Sequence, residues 1–186
     1  MRSTHLLAFG LALILAGCGS RVNRAIEPSR WPLLAPDSIS PRSVAQVVRA
    51  QYGTNSLTLM GALEITKSEL TLVAVTSYGQ RAYTIRYDGR RVSAERAAFV
   101  PDSIDSERLL ADLQLAYWPL AVLEPAWRVA GLKVSEPVPG TRQLWRDQQL
   151  VAEVSYYDVD PWQGRLQLRN MEYGYSLIID TAANEP

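Results

Sequence analysis

The chain of 186 residues contains one cysteine, Cys18, and one histidine, His5. Everything after position 18 therefore lacks both a thiol and an imidazole. That excludes Ser-His-Asp and Cys-His nucleophilic sites from the body of the chain, zinc sites built on His or Cys, and any disulfide. Neither sign of charge predominates, with 19 Lys+Arg against 19 Asp+Glu and no basic block. Such a balance gives nucleic acid no electrostatic footprint and anionic head groups no cluster to bind. Beyond residue 17 no apolar run approaches the ~20 residues that span a bilayer. Two carboxylates alone can run glycoside chemistry, but no pair among nineteen stands out. The expectation is a protein that is not an enzyme and holds neither cofactor nor metal.

What is present begins at the N-terminus. Arg2 precedes an apolar run over residues 6–16, the layout of a secretory signal. The run ends in Leu15-Ala16-Gly17-Cys18, a lipobox: small residues admit the peptidase, and the Cys18 thiol takes a diacylglyceryl group. Cleavage between Gly17 and Cys18 would free the cysteine amine for further acylation. Two or three acyl chains hold a protein firmly, where one holds it marginally. Gly19 and Ser20 follow, with no Asp at 19, which favours the periplasmic face of the outer membrane. The expected organisation is a signal peptide at 1–17, a lipidated N-terminus and linker at 18–40, one domain at 41–181 and a disordered tail at 182–186. Pro28, Pro32, Pro36 and Pro41 punctuate the linker, where Trp31, Leu33 and Leu34 are apolar enough to dock on the body.

Along the body, Ser40-Pro41 reads as a helix start, and Val44, Val47, Val48 and Gln51 follow at helical spacing towards Gly53. Alternation then predicts strands. Leu57, Leu59, Leu63 and Ile65 form one, with Gly61 as a candidate bulge, and residues 70–76 a second. Tyr83, Ile85 and Tyr87 mark a third, turned at Asp88-Gly89 into a fourth near 92–100. Leu109, Leu110, Leu113, Ala116 and Tyr117 give an amphipathic helix over 106–117 with Asp102-Ser103 or Asp105-Ser106 as its cap. Trp118-Pro119 breaks it, and a short second helix over 120–127 follows. Strands resume at 141–145, 150–157, 164–170 and 173–180.

Seven or eight antiparallel strands interrupted by two helices suggest an α+β domain. Its form would be a curved antiparallel sheet or open β-barrel with the inserted helices as a lid. Leu57, Leu59, Leu63, Ile65, Tyr83, Ile85, Tyr87, Leu113, Tyr117, Tyr175 and Leu177 either line a cargo cavity under that lid or pack as ordinary core. Trp118 and Trp127 read as packing anchors. Trp162, after Asp158-Val159-Asp160-Pro161, sits in a turn and is expected at the surface. The two aspartates lack the third ligand and the glycine of a calcium loop, so a solvated turn is the reading there.

Several short stretches, in order, resemble a bacterial lipoprotein family known as domain-of-unknown-function family 3261. They are Trp118-Pro119-Leu120-Ala121-Val122-Leu123, Gly131-Leu132, Arg142, Ala152-Glu153-Val154-Ser155-Tyr156, Trp162-Gln163-Gly164, and Asn170 through Tyr173-Gly174-Tyr175-Ser176-Leu177-Ile178-Ile179. The resemblance implies a fold similar to the outer-membrane lipoprotein receptor of the Lol pathway, an open barrel whose apolar cavity takes up acyl chains. It also implies a setting beside aryl-polyene-type synthesis, a periplasmic carrier and an exporter. On that basis the chain would receive a lipid-like cargo at the outer membrane, or dock the carrier or exporter without touching cargo. The family brings no catalytic residues with it.

Overall fold

A computed structural model describes residues 30–100 and 104–182. The signal segment, Cys18, the candidate cap Asp102-Ser103 and residues 183–186 of the tail lie outside the described residues. Ten strands form one sheet: β1 (Arg42–Tyr52), β2 (Asn55–Ile65), β3 (Leu70–Thr76), β4 (Arg81–Tyr87), β5 (Val92–Arg96), β6 (Leu132–Val138), β7 (Thr141–Arg146), β8 (Gln149–Tyr156), β9 (Gly164–Asn170) and β10 (Tyr175–Thr181). Helices α1 (Ser106–Tyr117) and α2 (Leu120–Val129) fall between β5 and β6. The strand order is β5-β4-β3-β2-β1-β10-β9-β8-β7-β6, antiparallel throughout. Two five-stranded meanders are thus joined back to back by the β1–β10 pair. The outer strands β5 and β6 do not meet, so the sheet is curved but not closed into a barrel, and the protein is mostly β.

The largest departure from the sequence reading is β1, expected as a helix over 41–52. Its valines satisfy both periods: Val44, Val47 and Val48 sit at helical spacing, while Val44, Gln46, Val48 and Ala50 also alternate. Pairing decides between them. All eleven β1 residues pair with β2, and seven pair with β10. As the central strand of the sheet, β1 gains two ladders that a helix would forgo, and β-branched valine suits that place. Gly61 is not a bulge. It stays in register between Gln46 and Ala74, and the register shift falls instead at Ala74/Val75.

Smaller differences follow from turn chemistry. β5 stops at Arg96 rather than near Val100, because residues 97–100 turn back, with the Val100 N–H donating to the Ala97 carbonyl. β7 and β8 meet across Asp147-Gln148 alone, both at positive φ (47° and 68°). That is the twist a two-residue hairpin requires.

Antiparallel order sorts the turns into two rims. The β1–β2, β3–β4, β7–β8 and β9–β10 turns form a first rim, and the β2–β3, β4–β5, β6–β7 and β8–β9 turns a second. α1 starts at the first rim, where the Tyr83 hydroxyl donates to the Ile104 carbonyl. Asp105 caps it by accepting from the Arg108 N–H at 3.0 Å. α1 then runs along the trough, and α2 returns beside β6.

Every α1 residue from Leu110 to Tyr117 is buried, polar ones included. The sheet covers one side, and the chain ahead of β1 covers part of the other. Trp31 is buried there, and the buried Gln114 amide clamps the Leu34 backbone, accepting from its N–H at 2.8 Å and donating to its carbonyl at 2.7 Å. Trp118 donates to Ser38 Oγ at 2.7 Å, and Tyr87 donates to the Leu33 carbonyl at 3.4 Å. Residues 31–38 are therefore a strap lying between the β4 side of the opening and the helices.

Candidate functional site

The inner face of the sheet changes character along its length. Towards the second rim, Val44, Leu63, Ile65, Leu70 and Ile85 are sealed under α1 and the strap. Towards the first rim, Val48, Ala50, Leu57, Leu59 and Tyr175 are only half-buried, as is Leu72 at the level of Leu63 and Ile85. The trough thus opens into an apolar mouth on its β1–β3 side. Beneath α1 this mouth leads to a cavity of about 80 Å³, lined by Val48, Leu72, Leu109, Leu113, Leu177 and Ile179 among others. Its volume equals that of about three water molecules in the liquid. Pockets that enclose whole organic ligands run to roughly 300–1,000 Å³.

Three polar groups also reach this cavity: Gln46, Tyr117 and Asp112. Gln46 donates through Nε2 to Tyr117 Oη at 2.7 Å and to Thr181 Oγ1 at 3.1 Å. Burial pushes the Tyr117 phenol up to about 12. Asp112 is the more consequential group. Its carboxylate is 2 % exposed, accepting from Asn170 Nδ2 at 3.1 Å and from the Tyr175 hydroxyl. Desolvation pushes its pKa up to about 7, against the opposing pull of those two hydrogen bonds and of Arg108 one helical turn earlier. Arg108 lies with its guanidinium carbon 4.2 Å from the Tyr173 ring centroid and 5.4 Å from that of Tyr175.

The residues expected to line a cavity or core divide between those roles. Leu113, Tyr117 and Leu177 line the cavity. Leu63, Ile65, Tyr83, Ile85 and Tyr87 are buried in the contiguous core away from it. Leu57, Leu59 and Tyr175 stand half-buried at the mouth. Trp118 and Trp127 are fully buried, Trp127 with its ring centroid 5.8 Å from that of Trp31.

Trp162 is not at the surface. It is buried, stacked on Tyr117 with centroids 4.4 Å apart, and the Arg42 guanidinium lies 5.0 Å from its ring. The turn before it is held by its own aspartates. Asp160 accepts from the Trp162 N–H at 3.0 Å, and Asp158 accepts from the Arg165 N–H at 2.9 Å. Among the described residues no three His, Cys, Asp or Glu side chains converge on a metal-sized site.

Arg142 does structural work that its sequence position does not advertise. Nearly buried, it donates through Nη1 to the Leu115 and Trp118 carbonyls, each at 2.7 Å. Its other nitrogens donate to Glu136 Oε1. A cation at the C-terminal end of α1 thereby satisfies orphan carbonyls and opposes the helix dipole. It pins α1 to β7.

An open antiparallel sheet wrapped on a buried helix, with an apolar mouth at one rim, is the architecture that defines the protein. A family model described as "Protein of unknown function (DUF3261)" matches residues 43–183, and the chain belongs to that family. Among solved structures, a DUF1329 family protein from Desulfovibrio piger ATCC 29098 is similar at 11% identity, with a TM-score of 0.36. That match covers 80% of this chain and 86% of the other. No curated protein matches the sequence.

Proposed function

We propose that this protein is a lipid-anchored lipoprotein, tethered through Cys18 to the periplasmic face of the outer membrane, that receives an apolar, lipid-like cargo. The observation that carries the reading is the half-open trough. An inner face of Val48, Leu59, Leu72 and Leu109 is left partly uncovered beside a small apolar void. Apolar surface kept open to solvent costs about 25 cal/mol per Å² relative to covering it, and an apolar chain laid along the mouth recovers that cost. A void of about 80 Å³ admits only the tip of such a chain, so fuller uptake requires α1 to lift from β1 and β3. The family resemblance adds an aryl-polyene-type product as the cargo class. No step of this role calls for catalysis, cofactor or metal.

The test is direct. The full chain should co-purify with an extractable apolar molecule or bind a fluorescent acyl probe saturably, and Leu72→Trp at the mouth should weaken that binding. Saturable probe binding that Leu72→Trp and Leu59→Trp leave unchanged would remove the mouth as the site. The smallness of the void favours a second reading, an anchored adaptor that docks a periplasmic carrier or exporter without cargo. That version expects no extractable molecule and a partner retained on the immobilised protein.

A further inference from the structure

We infer that the first rim of the sheet is a membrane-docking surface, which seats the apolar mouth against the lipid bilayer. The inference rests on the reading above that Cys18 carries lipid, and it adds which end of the protein faces the bilayer. Among the described residues, five of the nine large exposed apolar side chains stand at the first rim, against Val138, Tyr157 and Val159 at the second and Met60 midway along β2. Tyr52 on the β1–β2 turn, Tyr78 on the β3–β4 turn, Phe99 after β5, Val129 at the end of α2 and Met171 on the β9–β10 turn all stand at the first rim, Tyr78 at 96% exposure. They come from five separate segments that the antiparallel order brings to one end. Single exposed apolar residues need no explanation, but a ring of them around an apolar opening does. Tyrosine is also suited to the head-group level of a bilayer.

The second rim also exposes apolar residues, and charge separates the two. Val159 there is fully exposed, but it sits between Asp158 and Asp160. A bilayer carrying negative charge repels that tip. At the first rim, the residues flanking Tyr52, Tyr78 and Phe99 carry no charge, Arg128 precedes Val129, and the one acidic neighbour, Glu172 beside Met171, is paired with Arg146.

The tether agrees. The strap enters at the first rim, where Arg30 donates to Glu107 at 2.7 Å and Trp31 donates to Glu172 at 2.9 Å. Twelve steps of chain separate Cys18 from Arg30, a reach of at most roughly 40 Å. β1 alone, at eleven residues, runs roughly 35 Å between the rims. Seating the second rim on the bilayer would draw that segment nearly straight, whereas the first rim leaves it slack.

The experiment uses the full-length acylated protein in vesicles of phosphatidylethanolamine and phosphatidylglycerol. The lipid thioether at Cys18 blocks the native sulfur, so Tyr78→Cys, Val129→Cys and Val159→Cys each supply one reactive thiol for an environment-sensitive dye. Dye at 78 and at 129 should shift to the blue and be quenched by brominated lipid, while dye at 159 should do neither. A shift at 159 with none at 78 and 129 overturns the assignment, and so does the absence of a shift at all three. The mass of the N-terminal peptide reports the anchor separately, so loss of the tether reading and loss of the docking surface are distinguishable.

Discussion

Asp112 makes the stability of this fold depend on pH in a window where almost nothing else titrates. Its folded pKa stands near 7 against 3.8 for the free side chain, because burial disfavours the charged form. Between those values the folded state holds a proton that the unfolded state has released. The contribution of Asp112 to stability is therefore complete below pH 3.8 and falls as pH rises towards 7. The slope is at most about 1.4 kcal/mol per pH unit, and the whole window is worth about 4 kcal/mol. The only histidine is His5, near the N-terminus, and unperturbed Asp and Glu are mostly ionised by about pH 5. Between pH 5 and 7 Asp112 contributes a loss of roughly 2–3 kcal/mol.

Urea melts at pH 5, 6 and 7 measure it. With a slope of roughly 2 kcal/mol per molar, the midpoint should fall by about 1 M over that range. Asp112→Asn should flatten the dependence. The level of its curve is a separate matter: with the amide oxygen kept on Asn170 Nδ2, the new N–H faces the Tyr175 hydroxyl, which must then accept instead of donate. Midpoints that do not move between pH 5 and 7 in the native protein would refute the argument. So would a slope that survives unchanged in Asp112→Asn.

Arg142→Ala should destabilise the protein by about 3–5 kcal/mol in chemical melts, because it strips two buried carbonyls and Glu136 of their donor. Arg142→Lys should recover only part of that, since an ammonium cannot reproduce the guanidinium fork. Trp31→Ala, which empties the strap's anchor against Trp127, should cost about 3–5 kcal/mol, and limited proteolysis should then cut within residues 31–40. If the strap is a loose spacer instead, neither the midpoint nor the cleavage pattern will change. Tyr117→Phe should cost about 1–2 kcal/mol in the same melts, because it leaves the buried Gln46 amide with Thr181 Oγ1 in place of two acceptors.

The hairpins β2 through β4 and both helices were legible because their signals are local. Alternation at Leu57, Leu59, Leu63 and Ile65 and the Asp88-Gly89 turn leave one reading each. Residues 42–52 were not legible, since valines at 44, 47 and 48 fit either period. What decides between them is a partner strand more than 120 residues away, which no window can see. The two extra strands have the same origin. β6 carries Pro137 and only partly alternates, and its identity as a strand comes from pairing with β7. Trp162 misled for a related reason: a turn predicts exposure only when nothing packs over it, and here Tyr117 does.

The candidate site was harder to read than the fold, and the reason is physical. Leu113, Tyr117 and Leu177 were legible as inward-facing, but inward-facing residues of a sealed core and of an open mouth share one pattern. What separates Leu63 from Leu59, four positions apart on the same face of β2, is whether α1 and the strap lie above them. That depends on where the helix crosses the strands, and no periodicity in β2 encodes it. Asp112 did carry a signal: a lone carboxylate among Leu109, Leu110, Leu113 and Leu115 has no solvent face to occupy. Gln114, two residues along, faces the other way and is covered because its amide substitutes for a β-ladder to Leu34. Strap, helix and buried carboxylate therefore form one mechanical unit. In the proposed role, lifting α1 to admit a chain must also break the Gln114 clamp, so the strap should loosen when the mouth is filled.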